Sequence, residues 1–131
     1  MQKLYVFVDD GENRSLAEGE LICGESGRVH IRTHVCEAVF ELEFTDIQSR
    51  QALTVKRRGG TSYDMPFEKN KETSAEISTP YGKTDLDYKT HSLHCDCDTS
   101  IHRYEFKIHY TVCGSQDRHL TVIAAKSKED L

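Results

Sequence analysis

Between residues 101 and 112 the chain alternates without a break. Tyr104, Phe106, Ile108, Tyr110 and Val112 fall on one parity, Arg103, Glu105, Lys107, His109 and Thr111 on the other. A period of two sends successive side chains to opposite faces of a pleated ribbon, so this stretch can bury its apolar set only as a β-strand. Residues 28–35 repeat the pattern, with Val29, Ile31, Thr33 and Val35 against His30, Arg32 and His34. Residues 37–45 do so again, with Ala38, Phe40, Leu42 and Phe44 against Glu37, Val39, Glu41 and Glu43. Apolar residues seldom recur at three and four, so the chain is expected to be all-β.

Further strands are expected at 4–8, 15–23, 51–58, 61–68, 72–79, 83–96 and 119–126. They are separated by turn residues such as Asp10-Gly11, Gly24 to Gly27, Gly59-Gly60, Asn70 and Thr79-Pro80-Tyr81-Gly82. Gly19 inside the second strand suggests a bulge or sharp bend, and Pro66 demotes its strand to an edge or a bulge. In 83–96 the apolar parity moves from Leu86 and Tyr88 to Leu93 and Cys95, which requires an extra residue near His91. About ten strands with hairpin-length connections predict an antiparallel meander, and rolling it up buries one face and removes exposed edges. The expected architecture is an up-and-down barrel of 8–10 strands spanning residues 1–126, with 127–131 as a polar tail; a sandwich is the competing form.

Composition narrows the functional classes. The chain has 131 residues, which suits one domain, and 29 of them are Leu, Ile, Val or Phe, enough for a thin core. Acids outnumber bases 22 to 17 with the signs intermixed, so no cationic face is expected and nucleic acid is not an expected partner. No run approaches the roughly 18–20 apolar residues of a membrane span, and the opening residues turn acidic too soon for a signal peptide. Cysteines at 23, 36, 95, 97 and 113 have no disulfide-framework spacing, so reduced thiols in a cytoplasmic protein are expected.

The segments Lys56-Arg57-Arg58-Gly59, Met65-Pro66-Phe67-Glu68-Lys69-Asn70-Lys71 and Ser78-Thr79-Pro80-Tyr81-Gly82 occur in that order. Together they resemble the uncharacterised YwiB-like family of small bacterial proteins. That family shares a basic strand end before glycine, a Met-x-Phe hairpin and a Thr-Pro-Tyr-Gly turn. The resemblance implies a calycin-like, lipocalin-type β-barrel, in agreement with the alternation, and brings no activity with it.

Chemistry-bearing residues offer three readings. His91, His94, Cys95, Cys97 and His102 are of zinc-ligand type, and a turn near Asp98 and Thr99 would set Cys95 opposite His102. Their Cys-x-Cys spacing differs from that of structural zinc sites, so no metal or other cofactor is expected. No strained elbow presents a nucleophile, and the pairs Asp85/Asp87 and Glu41/Glu43 read as solubilising alternation, so an enzyme is not expected. The third reading is a cavity. Arg57 lies in phase with the inward Leu53 and Val55, and Tyr63, Tyr88, Tyr104 and Tyr110 also point inward. A guanidinium there needs an anionic or oxygen partner, or a place at the barrel mouth from which to reach solvent. The expectation is a non-enzymatic module holding a small anionic or amphipathic ligand. The alternative is a structural or protein-interaction barrel with a filled interior.

Overall fold

A computed structural model describes residues 2–35 and 37–131. Ten strands run in chain order: β1 (Gln2–Asp9), β2 (Arg14–Glu25), β3 (Arg28–Val35), β4 (Ala38–Ile47), β5 (Arg50–Arg58), β6 (Tyr63–Phe67), β7 (Glu72–Thr79), β8 (Gly82–Asp98), β9 (Arg103–Val112) and β10 (Gln116–Ala125). They form one antiparallel sheet in the order β6-β5-β4-β3-β2-β1-β10-β9-β8-β7. β1 therefore pairs with β10, and chain neighbours pair everywhere except between β6 and β7, where the ladder fails. There Ser62 N–H donates to Ser78 O at 2.8 Å and Ser78 N–H returns the bond at 2.9 Å, a single bridge across the seam. The result is a nearly closed antiparallel barrel. Among the described residues, no helix is long and apolar enough to cross a membrane.

The two-residue alternation translates directly into an inside and an outside. Leu4, Val6, Ile31, Leu53, Phe67, Phe106 and Ile108 are each at most 2% exposed and meet in one core through the middle of the barrel. Burying each such side chain contributes about 1.5–3 kcal/mol. The rings interlock at the tilted angles aromatic pairs prefer: Phe44 with Phe106 at 5.5 Å between centroids, and Phe67 with Tyr88 at 5.3 Å and with Tyr110 at 5.2 Å.

Local irregularities follow the sequence in one strand and depart from it in another. The register of β8 against β9 shifts between Thr90 and Ser92, so His91 is the extra residue and the inward parity passes from Tyr88 and Thr90 to Cys95 and Cys97. Pro66 sits on β6, an edge of the ladder, where its missing donor costs no sheet bond. Gly19, expected to mark a bulge, instead pairs regularly with Leu4 and Thr33; the shift in β2 comes later, between Leu21 and Cys23. The glycine is there for close approach, since a Cβ on it would lie 2.7 Å from Arg32 O. The polar tail is also more ordered than its composition suggests. Lys128–Asp130 forms a 3-10 turn capped by Ser127, and Arg103 Nε donates to Asp130 O at 2.7 Å.

Candidate functional site

The meander sorts its connections to two mouths. The turns after odd-numbered strands lie at one mouth; those after even-numbered strands lie at the other with the ends of the described chain. At the first mouth Phe40, Arg57 and Tyr63 form a cross-strand row over β4, β5 and β6, paired Phe40 to Arg57 and Arg57 to Tyr63. All three are half-buried. The Arg57 guanidinium lies 5.6 Å from the centre of the Phe40 ring, and Nη1 donates to Thr61 O at 3.1 Å. Its neighbours Lys56 and Arg58 pair with carboxylates, Glu43 at 3.2 Å and Asp64 at 2.7 Å, whereas the described residues give Arg57 none.

Phenols complete this mouth. Tyr110 packs on Phe67 and, at 6.2 Å edge-on, on Tyr88, whose hydroxyl donates to Pro66 O at 2.6 Å across the seam. The Tyr63 and Tyr110 hydroxyls have no such partner among the described residues. Burial pushes both phenols above their ordinary pKa, with Arg57 pulling Tyr63 back and Arg118 pulling Tyr110 back. Both are therefore neutral O–H donors at physiological pH. Arg118 is the residue opposite Tyr110 in the β9–β10 ladder. Of the five residues expected to line the interior, Arg57, Tyr63, Tyr88 and Tyr110 share this half of the barrel. Tyr104 is fully buried at the opposite mouth, its hydroxyl 3.2 Å from His102 Nδ1.

The Cys/His hairpin does not assemble. The β8–β9 turn occupies 99–102, so Cys95 pairs with Phe106 and Cys97 with Tyr104, and the expected facing of Cys95 and His102 is wrong. Asp98 explains the longer turn, since its Oδ1 accepts from Ser100 N at 3.0 Å and His102 takes a positive φ of 52°. Cys95 and Cys97 alternate with the exposed His94 and so face away from it, while His91 hydrogen-bonds to Thr111 on the outer wall. Burial pushes the thiols up, Cys95 to about 12 and Cys97 to about 11, which keeps them protonated. A second outer feature is a histidine ladder over β8, β9 and β10. His91 and His109 lie 5.0 Å apart, His109 and His119 stack at 4.4 Å, and Asp117 Oδ1 is 3.2 Å from His109 Nε2.

Sequence reasoning passed over a third group. On the outer face of β3 and β4, His30 Nε2 lies 3.6 Å from Glu41 Oε2 and 3.7 Å from Glu43 Oε1. Among the described residues these three alone bring histidine, cysteine or carboxylate ligand atoms together within metal-site distances. The signal was the outward parity of His30 and of Glu41 and Glu43, but only the hairpin register, His30 opposite Glu43, brings them together.

The fold defines a class: small all-β proteins built as a ten-stranded meander barrel that a single bridge closes. The chain belongs to the family described as a domain of unknown function, DUF1934, whose model matches residues 37–119. The segments that resemble the YwiB-like family lie inside that span. Among solved structures the chain is similar to the ywiB protein from Bacillus subtilis. Sequence identity is 14%, with 96% of this chain and 89% of that one covered and a TM-score of 0.64, which supports the shared barrel fold. None of the curated proteins matches the chain.

Proposed function

We propose that the protein is a non-enzymatic binding module that takes a small amphipathic anion at the mouth formed by Phe40, Arg57, Tyr63 and Tyr110. The observation that carries this reading is Arg57, a half-buried guanidinium with an aromatic face and one backbone carbonyl but no carboxylate among the described residues. Such a group still has donors to offer, and the neutral phenols of Tyr63 beside it and of Tyr110 at the same mouth add O–H donors. An anionic head would take these donors while a short apolar tail lies along Phe40. The core through the middle of the barrel limits the tail to the mouth.

Octanoate is a suitable probe, with octanol as its uncharged counterpart. Octanoate is expected to shift the NMR signals of Tyr63, Tyr110 and Phe40, and octanol to bind more weakly. Arg57→Gln should lower octanoate affinity about tenfold, the equivalent of one charge-assisted hydrogen bond. The reading is abandoned if octanoate leaves those signals unmoved, or if native mass spectrometry of freshly purified protein finds no small molecule retained. The filled mid-section of the barrel favours a second reading, an interaction barrel without a small-molecule ligand. On that reading Arg57→Gln would leave octanoate binding as it is in the wild type.

A further inference from the structure

We propose that His30, Glu41 and Glu43 form a binding site for a divalent cation of the zinc class on the outer wall of the barrel. The first support is distance. The separations of 3.6 and 3.7 Å from His30 Nε2 to Glu41 Oε2 and Glu43 Oε1 are longer than an ordinary N–H···O hydrogen bond. They are close to the roughly 3.4 Å edges of a tetrahedron whose metal–ligand bonds are about 2.0–2.1 Å. The second support is the state of the imidazole. His30 Nε2 is closed off from solvent and has no hydrogen-bond partner, although the side chain as a whole is 20% exposed. A shielded ring nitrogen without a hydrogen bond is costly, and a cation held between it and the two carboxylates would give it a ligand bond in place of these long contacts.

The surrounding charges fit a coordinated ion with supported ligands. Arg32 Nε donates to Glu41 Oε1 at 2.8 Å, which leaves Oε2 free toward His30 and orients the carboxylate. Lys56 Nζ contacts both oxygens of Glu43, Oε2 at 3.2 Å and Oε1 at 3.3 Å. A metal taking Oε1 leaves Lys56 on Oε2 but feels its charge, so the lysine weakens the site. Three protein ligands leave a fourth position of a tetrahedral shell, which water would fill.

Zinc chloride titrated into the reduced, full-length protein is expected to give one tight equivalent by calorimetry. Co²⁺ in its place should give the visible absorption of a tetrahedral site. His30→Gln and Glu43→Gln should each weaken Zn²⁺ binding more than tenfold, while circular dichroism reports an intact sheet. Lys56→Met should tighten binding, a response that loss of folding does not produce. The other histidines and the thiols provide the contrast: Zn²⁺ binding unchanged in both His30→Gln and Glu43→Gln would place the ion elsewhere and overturn the proposal. Absence of a Zn²⁺ equivalent in the wild type would overturn it equally.

Discussion

Gly19 has no room for a side chain. A Cβ there would sit 2.7 Å from Arg32 O, 3.0 Å from Val6 Cγ2 and 3.2 Å from Thr33 Cβ, and the first of these belongs to the backbone of the next strand but cannot swing aside. Gly19→Ala should therefore push β2 away from β3 and destabilise the fold by about 1–3 kcal/mol, read as a lower urea midpoint. The cysteines divide by their place in the fold, strand or turn. Cys113 is exposed in the β9–β10 turn, whereas Cys95 and Cys97 face inward with thiols pushed to about 12 and about 11 by burial. Iodoacetamide at pH about 8 should label Cys113 and leave Cys95 and Cys97 unmodified until urea is added, because the thiolate is the reacting species. Peptide mass mapping checks the order, and early labelling of Cys95 would refute the inward placement.

The β6–β7 turn shows how one junction is held. Its Asn70 N–H donates to Thr90 O at 2.7 Å and its Lys71 O accepts from Thr90 N–H at 3.1 Å, so the turn continues the β7–β8 ladder to the bulge in β8. Glu68 fixes the same turn to β5. Hydrogen bonds from Arg50 and then Lys71 hold its carboxyl at about 2, down from 4.5. A carboxyl with a depressed folded-state pKa stabilises the protein above its unfolded value and loses that contribution as pH falls through the folded one. Glu68→Gln should thus cost about 1 kcal/mol near neutral pH, discounted for the solvent around Arg50 and Lys71. The gap between variant and wild type should narrow from pH about 5 to about 2 in urea titrations. Bulges and turns also mark how far the sequence could be read. The parity switch from Leu86 and Tyr88 to Leu93 and Cys95 located the extra residue at His91, because side-chain alternation records register within a strand. Pairing between strands is set by turn length, and 99–102 contains no glycine or proline to mark it. Cys95 was therefore matched with the wrong partner, and the meeting of His30 with Glu41 and Glu43 could not be foreseen. The half-buried position of Arg57 on the inward parity, by contrast, was legible from its phase with Leu53 and Val55 alone.

Closure couples parts of the chain that are distant in sequence. The family model spans residues 37–119, yet β4 pairs with β3 and β10 with β1, and both partners lie outside that span. A fragment of residues 37–119 should lack the sheet circular dichroism and the dispersed NMR spectrum of the whole chain. It would cut β10 after His119 and leave the inner faces of β4 and β9 without their neighbours, at two new unpaired edges. A folded fragment would contradict the view that the ring is one cooperative unit. The bridge between Ser62 and Ser78 gives that ring an uneven resistance to opening. Ladders guard every other junction along several residues, but here two hydrogen bonds and the Tyr88 phenol must suffice. In deuterated water the amides of Ser62 and Ser78 should accordingly trade their protons well before those of β1 and β10, so that the wall unzips from one predetermined line.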